Sequence, residues 1–395
     1  MITALSALSV VASLQASQSL ISSFLELKQA IDFGDTVISI STAEIVFQQQ
    51  LYVLDGVTVA IEGGAKSRTI LSGDNSSRLF VVDDRSSLSL RGVTLDRGRC
   101  SGCSGGAVFV GPGSELWLHS VLVSGNNAQI GGAIFALSSS VVATSCTITA
   151  NSASSGGAIF AEGDSTVKAT SSTITANSAG YGGAVRVGKN ANFTMINCVM
   201  HSNTAGATGG AVAARDDSTV VIAGSRIFSN QAELGGAIFM DARATVVLAD
   251  CAMLSNVATS IGGVVYCIHE ATINATNCLF ASNSAYDGGG MLYAGGSASV
   301  FTTNCTAASN TGYWGGGLYA QGESSAHNAF HPRGLGRYPA TLSRSLRLIS
   351  SRLFSSRQTA RPSRWRIAPS HKTPDIGVVL SLPTTARWWM RLTAR

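Results

Sequence analysis

The chain of 395 residues carries little charge, with Asp, Glu, Lys and Arg together making up 12% of it. Aromatic residues are also few, at 7%, and six of the 7 prolines fall after residue 331. No run of 18 apolar residues occurs, which excludes a transmembrane helix of ordinary length. The first 25 residues lack any charge, and no Lys or Arg precedes Lys28. What is present in excess is glycine: 43 Gly beside 45% hydrophobic residues describe an ordered, turn-rich chain able to bury a large core, not a disordered one.

The formal charge of +5 averages two unlike pieces. Residues 1–322 hold 14 basic and 20 acidic side chains (14 − 20 = −6), whereas residues 323–395 hold 13 and 2 (13 − 2 = +11). A mildly acidic body has no electrostatic footprint for nucleic acid, which requires clustered positive charge.

Internal periodicity organises the body. A Gly-Gly pair begins at Gly105, Gly131, Gly156, Gly182, Gly209, Gly235, Gly262, Gly289 and Gly315, in steps of 25 to 27 residues. Five or six residues before each pair from the second onward stands an Asn: Asn126, Asn151, Asn177, Asn203, Asn230, Asn256, Asn283 and Asn310. Two markers keeping step over nine units identify a repeat architecture.

Apolar spacing within each unit specifies strands. Counting back from the Asn, positions −10, −8, −5 and −3 read Val141, Ala143, Cys146, Ile148 in one unit and Val246, Leu248, Cys251, Met253 in another. A spacing of two is strand alternation, and the gap of three is a corner. A third strand follows the glycines, at Val108, Ile134, Ile159, Val185, Val212, Ile238, Val265, Leu292 and Leu318. Three strands per turn predict a triangular coil. Leu88, Leu90, Val93 and Leu95 repeat the pattern with Gly98 at the Asn position, and Val57, Val59 and Ile61 suggest one coil more.

The expected fold is therefore all-β: a right-handed, single-stranded parallel β-helix of about eleven coils, roughly 50 Å long at the usual strand separation. Gly suits corners that need positive φ or close backbone approach. Asn is the next best occupant of a left-handed corner, and stacked Asn side chains form a hydrogen-bonded ladder. The eight Asn are read as structural.

The Gly-Gly-Ala-Ile blocks at Gly131, Gly156 and Gly235, with Ile, Met or Phe three residues before the Asn as in Phe280-Ala281-Ser282-Asn283, resemble the repeat of chlamydial polymorphic outer membrane proteins. More broadly the chain looks like the pectin-lyase-like right-handed β-helix superfamily over residues 37–320. The first resemblance implies an adhesin-like role at a cell surface. The second implies, for its enzymatic members, clustered Asp with Arg or Lys acting on polysaccharide.

Candidates for such chemistry are Asp83-Asp84-Arg85 and Arg215-Asp216-Asp217, each just before a strand. They lie several coils apart, so they read as polar turns, and no catalytic or metal-ligating set is assigned. Nor do the six His cluster: His269 follows the third strand with no evident partner. Cys146, Cys198, Cys251, Cys278 and Cys305 share position −5 with Ser172 and Ser225, which predicts an inward column of unpaired thiols. Cys100 and Cys103 either bond to each other or bind metal. The residue after the third-strand aliphatic is Phe109, Phe135, Phe160, Arg186, Ala213, Phe239, Tyr266, Tyr293 and Tyr319. Its tolerance of Arg186 predicts an exposed aromatic stripe, able to stack on sugar rings or simply to staple coils together. Sequons at Asn75, Asn192, Asn274 and Asn304 are compatible with secretion.

Three regions follow: residues 1–36, a signal segment or N-terminal cap; 37–320, the β-helix; and 321–395, a basic Arg/Ser/Pro-rich tail, disordered or out of frame with the repeat. The expected function is a secreted or cell-surface scaffold, adhesin-like, that binds a glycan or surface protein. It needs no cofactor, contacts no nucleic acid through the β-helix, and meets a membrane only through an N-terminal signal or anchor. The alternatives are a polysaccharide lyase or hydrolase with a divergent site, and a truncated or out-of-frame fragment without independent function.

Overall fold

A computed structural model describes residues 18–64, 69–313, 315–330 and 379–381. Strands wind in one direction and every named pairing is parallel, so the chain is a β-solenoid. One column of short strands, which from Val108–Val110 onward follow the glycine pairs, runs from Leu51–Val53 to Leu318–Gln321 in successive coils; with Val379–Ser381 they make a 12-stranded sheet, so among the described residues this column marks 12 − 1 = 11 coils. Residues 1–17 of the region 1–36 expected as a signal segment or cap, and most of the basic tail, lie outside the described residues.

One coil shows the design. Asn192–Ile196 forms the first face, burying Phe193 and Met195. Asn197 then takes φ +51° and turns the chain onto Val199–His201, the second face, which buries Met200. Ser202, φ +54°, makes the next corner. A fourth short strand, Thr204–Thr208, precedes the glycines, and Val212–Ala214 completes the turn as the third face. The triangular, three-stranded expectation is thus corrected: the segment between Asn and Gly-Gly is itself extended, pairing coil to coil in a sheet of its own. Its sequences are short and polar, with one inward alanine per coil (Ala179, Ala205, Ala232, Ala258), so alternation there is hard to recognise.

A second correction concerns the corner. The left-handed residue is the one before each Asn: Ala150, Ala176, Ser202, Ser229, Ser255, Ser282 and Ser309 all have φ between +52° and +58°. The turn at that residue swings the next side chain inward. Asn203 therefore sits fully buried, accepting at Oδ1 from the Asn177 backbone N–H (3.0 Å) and Nδ2 (3.0 Å). Its own Nδ2 donates to the Ile174 carbonyl (3.1 Å) and Asn230 Oδ1 (3.0 Å). The same bonds recur from Asn126 to Asn310, and the ladder begins at the backbone N–H of Gly98, which donates to Asn126 Oδ1 (2.7 Å). A left-handed Ser or Ala costs about 1–2 kcal/mol; each Asn offsets this by satisfying backbone groups that no water reaches.

The two glycines of each pair answer different needs. Gly131 has φ +60°, a conformation open to glycine. A Cβ on Gly132 would lie 2.1 Å from the Gly157 carbonyl oxygen of the next coil, so this position is bare because two backbones nearly touch.

The core is one continuous shaft in which equivalent residues stack, as in Phe193, Val220, Val246, Ile273 and Val300. At its start the helix Phe24–Asp32, opened by a Ser23/Glu26 capping box, seats Leu27, Ala30 and Ile31 on the core. Strand Gln18–Ile21 pairs with Val37–Ile40, so rungs precede those read from the sequence. At the far end Ser325–Phe330 continues the first face beside Ser299–Ala308, which places the end of the repeat register later than Gln321. Among the described residues no helix is long and apolar enough to cross a membrane.

Candidate functional site

Charged residues gather most densely at one corner, the turn from the third face to the first. Here Asp84 and Arg85, and likewise Asp216 and Asp217, occupy paired left-handed positions. The turns of these two motifs are five coils apart, about 24 Å, so they make no common site. Partners come instead from adjacent coils. Arg243 grips Asp217 with two bonds, Nε to Oδ1 (2.8 Å) and Nη2 to Oδ2 (2.6 Å), which holds the Asp217 carboxyl below its ordinary range. Lys189 pairs with Glu162.

One constellation spans three coils. Asp241, buried to 7% exposure, accepts from Arg215 Nη2 at 2.7 Å through Oδ2 and meets His269 Nδ1 at 2.7 Å through Oδ1. The sequence reading left His269 without a partner; the repeat brings it onto a carboxylate 28 residues earlier. The signal lay in aligning the turns themselves, where Asp241 and His269 fall in neighbouring coils.

The aromatic column has a different geometry from an open stripe. Phe109, Phe135 and Phe160 stack on one another with centroids 5.6 Å apart and interplanar angles of 19° and 23°, and Arg186 closes the stack over Phe160. Ala213 interrupts it. Phe239, Tyr266, Tyr293 and Tyr319 then form a second stack at 4.8–5.6 Å. Phe135, Phe160 and Phe239 are 6–8% exposed, and the other four rings are half-buried. The expected exposure is corrected accordingly: each ring presses its faces on its neighbours. A depression of about 270 Å³ lies beside Tyr293 and Tyr319, bounded by Ile261, Asp287 and Gln321.

The thiol column turns inward at the corner between first and second faces. Cys146, Cys198, Cys251, Cys278 and Cys305 are buried and form no disulfide, as is true of Cys267, whose thiol burial pushes up to about 12. Ser and Cys alternate as hydrogen-bonding equivalents: the Cys146 N–H donates to Ser172 Oγ (3.0 Å), and the Ser172 N–H to Cys198 Sγ (3.2 Å). Cys100 and Cys103 are joined by a disulfide.

The first face is built of strands of five residues or more from Asn192 onward. Over five coils, from Asn192–Ile196 to the strand beginning at Ser299, its outward positions read Asn-Thr-Ile, Thr-Val-Ala, Thr-Val-Ala, Thr-Asn-Thr and Ser-Phe-Thr. None is charged. Because strand residues alternate sides, this surface is as regular as the core behind it.

Residues 159–311 match a family model described as a right handed beta helix region. No curated protein and no solved structure matches the chain.

Proposed function

We propose that this right-handed β-helix repeat protein is a binding scaffold, acting outside the cell or at its surface, that holds a neutral glycan or an uncharged protein surface against the outer side of its first face. The observation that carries the reading is the segregation of charge: ionic groups crowd the corner turn, while five consecutive coils present only Thr, Ser, Asn, Val, Ala, Ile and Phe on a flat sheet. Hydroxyl and amide groups at fixed spacing give hydrogen bonds, and methyl groups between them give apolar contact. The Cys100–Cys103 disulfide supports an oxidising compartment.

The test is Val221→Lys with Val247→Lys at the centre of that face. Lys168 stands two coils before Val221 in the same outward column, so the fold accepts lysine there. The chain is produced in a bacterial host so that Asn192 and Asn274 stay unmodified. Binding to neutral glycans on an array, or to cell-surface extracts, falls at least about tenfold in the double variant, since lysine must be desolvated against an uncharged partner. Undiminished binding would remove the first face from the reading.

A second reading, polysaccharide cleavage, draws on Arg215, Asp241 and His269. Asp241 fixes the imidazole with its proton on Nδ1, leaving Nε2 free to accept a proton from a sugar hydroxyl or ring carbon. If that reading holds, polymers such as pectate or alginate are cleaved by the wild type and turnover drops by at least about a hundredfold in His269→Ala. Absence of any new reducing or unsaturated ends sinks it.

A further inference from the structure

Arg78 is a half-buried cation with no anion beside it. Its Nε donates to the Gly105 carbonyl (2.9 Å), Nη2 to the Ser104 carbonyl (2.7 Å), and Nη1 to Gln50 Oε1 (3.3 Å), while its guanidinium lies 5.6 Å over the Phe109 ring. Among the described residues no carboxylate pairs with it. Burial of an unpaired charge is costly, and burial lowers the affinity of this guanidinium for its proton. The remaining contact is with sulfur: Nη2 stands 2.8 Å from Cys100 Sγ. Cys100 is 5% exposed, whereas Cys103, its partner in Cys100-Ser101-Gly102-Cys103, is exposed.

We infer that Cys100–Cys103 is a thiol–disulfide exchange site whose oxidised form takes electrons from dithiols, with Arg78 as the counter-ion of the Cys100 thiolate that forms. The asymmetry in exposure sets the direction of attack. A thiolate of the incoming dithiol reaches Cys103 Sγ and forms a new S–S bond there. The Cys100–Cys103 bond breaks, and its electron pair leaves on Cys100, whose thiolate pairs with the guanidinium already in contact. The second thiol of the substrate, deprotonated, attacks the substrate sulfur of the mixed disulfide and expels Cys103, which takes a proton from solvent. The substrate loses two electrons and two protons and becomes a disulfide; one proton ends on Cys103 and the other in solvent. Each chain transfers one disulfide. The same placement gives this half-buried arginine its anion, which reduction supplies.

The experiment uses the full chain, equilibrated at pH 7 in graded mixtures of reduced and oxidised glutathione, quenched with acid, alkylated, and read by the mass of the tryptic peptide that begins at Cys100. Arg78→Met makes reduction less favourable, lowering its equilibrium constant by about tenfold, which is about 30 mV for a two-electron couple. Arg78→Lys restores at least part of the difference, because it restores the charge. A readout on the unmutated chain stands beside this in case Arg78→Met fails to fold. Thiolate absorbance of the reduced chain, taken as the difference from Cys100→Ser, titrates well below the free-cysteine value of about 8.5. Equal glutathione equilibria in wild type and Arg78→Met, or a Cys100 thiol that titrates like a free one, overturn the proposal.

Discussion

Gly183→Ala yields little or no folded protein, whereas Gly188→Ala, five residues further on, behaves like the wild type. At Gly183 a Cβ would lie 2.2 Å from the Gly210 carbonyl oxygen and 2.6 Å from both the carbonyl carbon and oxygen of Thr204. All three are backbone atoms of the following coil, so no side chain can rotate away. Relief requires the coils to part at that corner, which breaks the bonds from the Gly182 N–H to Thr208 (2.8 Å) and from the Gly183 N–H to Gly209 (2.9 Å). The cost exceeds about 4–5 kcal/mol, a loss at the upper end for single substitutions. A solenoid passes such a defect to its neighbours, since each coil is held only by those on either side. At Gly188 the nearest atom to a Cβ, a carboxylate oxygen of Asp216, is 4.0 Å away. Soluble yield and circular dichroism melting distinguish the two variants, and a Gly183→Ala protein that melts with wild type would refute the close approach.

Asn203→Ala costs about 4 kcal/mol in urea unfolding. The substitution removes four hydrogen bonds at once and leaves the Asn177 backbone N–H without its partner in a place that water does not reach. Each orphaned buried group costs about 1–3 kcal/mol. Asn304→Ala is the matched control. Asn304 also reaches an amide of the coil before, donating from Nδ2 to Asn277 Oδ1 at 2.7 Å, but it does so in solvent at the outer corner. Water replaces that bond, and the loss stays below about 1 kcal/mol. If both substitutions cost the same, burial is not what gives the inner ladder its strength.

The contrast between those two asparagines also marks what a sequence can convey. Parallel stacking was legible because Val, Ile and Leu recur at fixed offsets from an Asn and a Gly-Gly pair, and any fold that honours both offsets must bring equivalent residues into columns. The fourth strand was not legible, because Thr204–Thr208 and its equivalents bury only one small residue per coil. The left-handed corner was assigned to the Asn on propensity alone; in the coil the Asn side chain is needed inside, so the strained conformation passes to Ser202 and Ala150. Tolerance of Arg186 suggested an open surface, yet this arginine is held by stacking on Phe160 and Tyr181 and by a bond to Ser155 Oγ (3.1 Å). Contacts such as Asp241 with His269 and Arg78 with Cys100 depend on which turn residues fall opposite one another after a full circuit. That alignment follows from coil length, and coil length varies.

The variation has an address. From the first glycine of a pair to the next Asn the distance is 21 residues in seven coils and 20 in the one from Gly131 to Asn151. From Asn to glycine it is five residues in some coils and six at Asn203, Asn256 and Asn283. The fourth-strand pairings absorb the difference through shifts in register. That short segment serves as an expansion joint: a residue gained or lost there leaves the remaining columns aligned. It is the side from which inserted loops can project without unsettling the shaft, and so the natural place for such a protein to acquire new specificities.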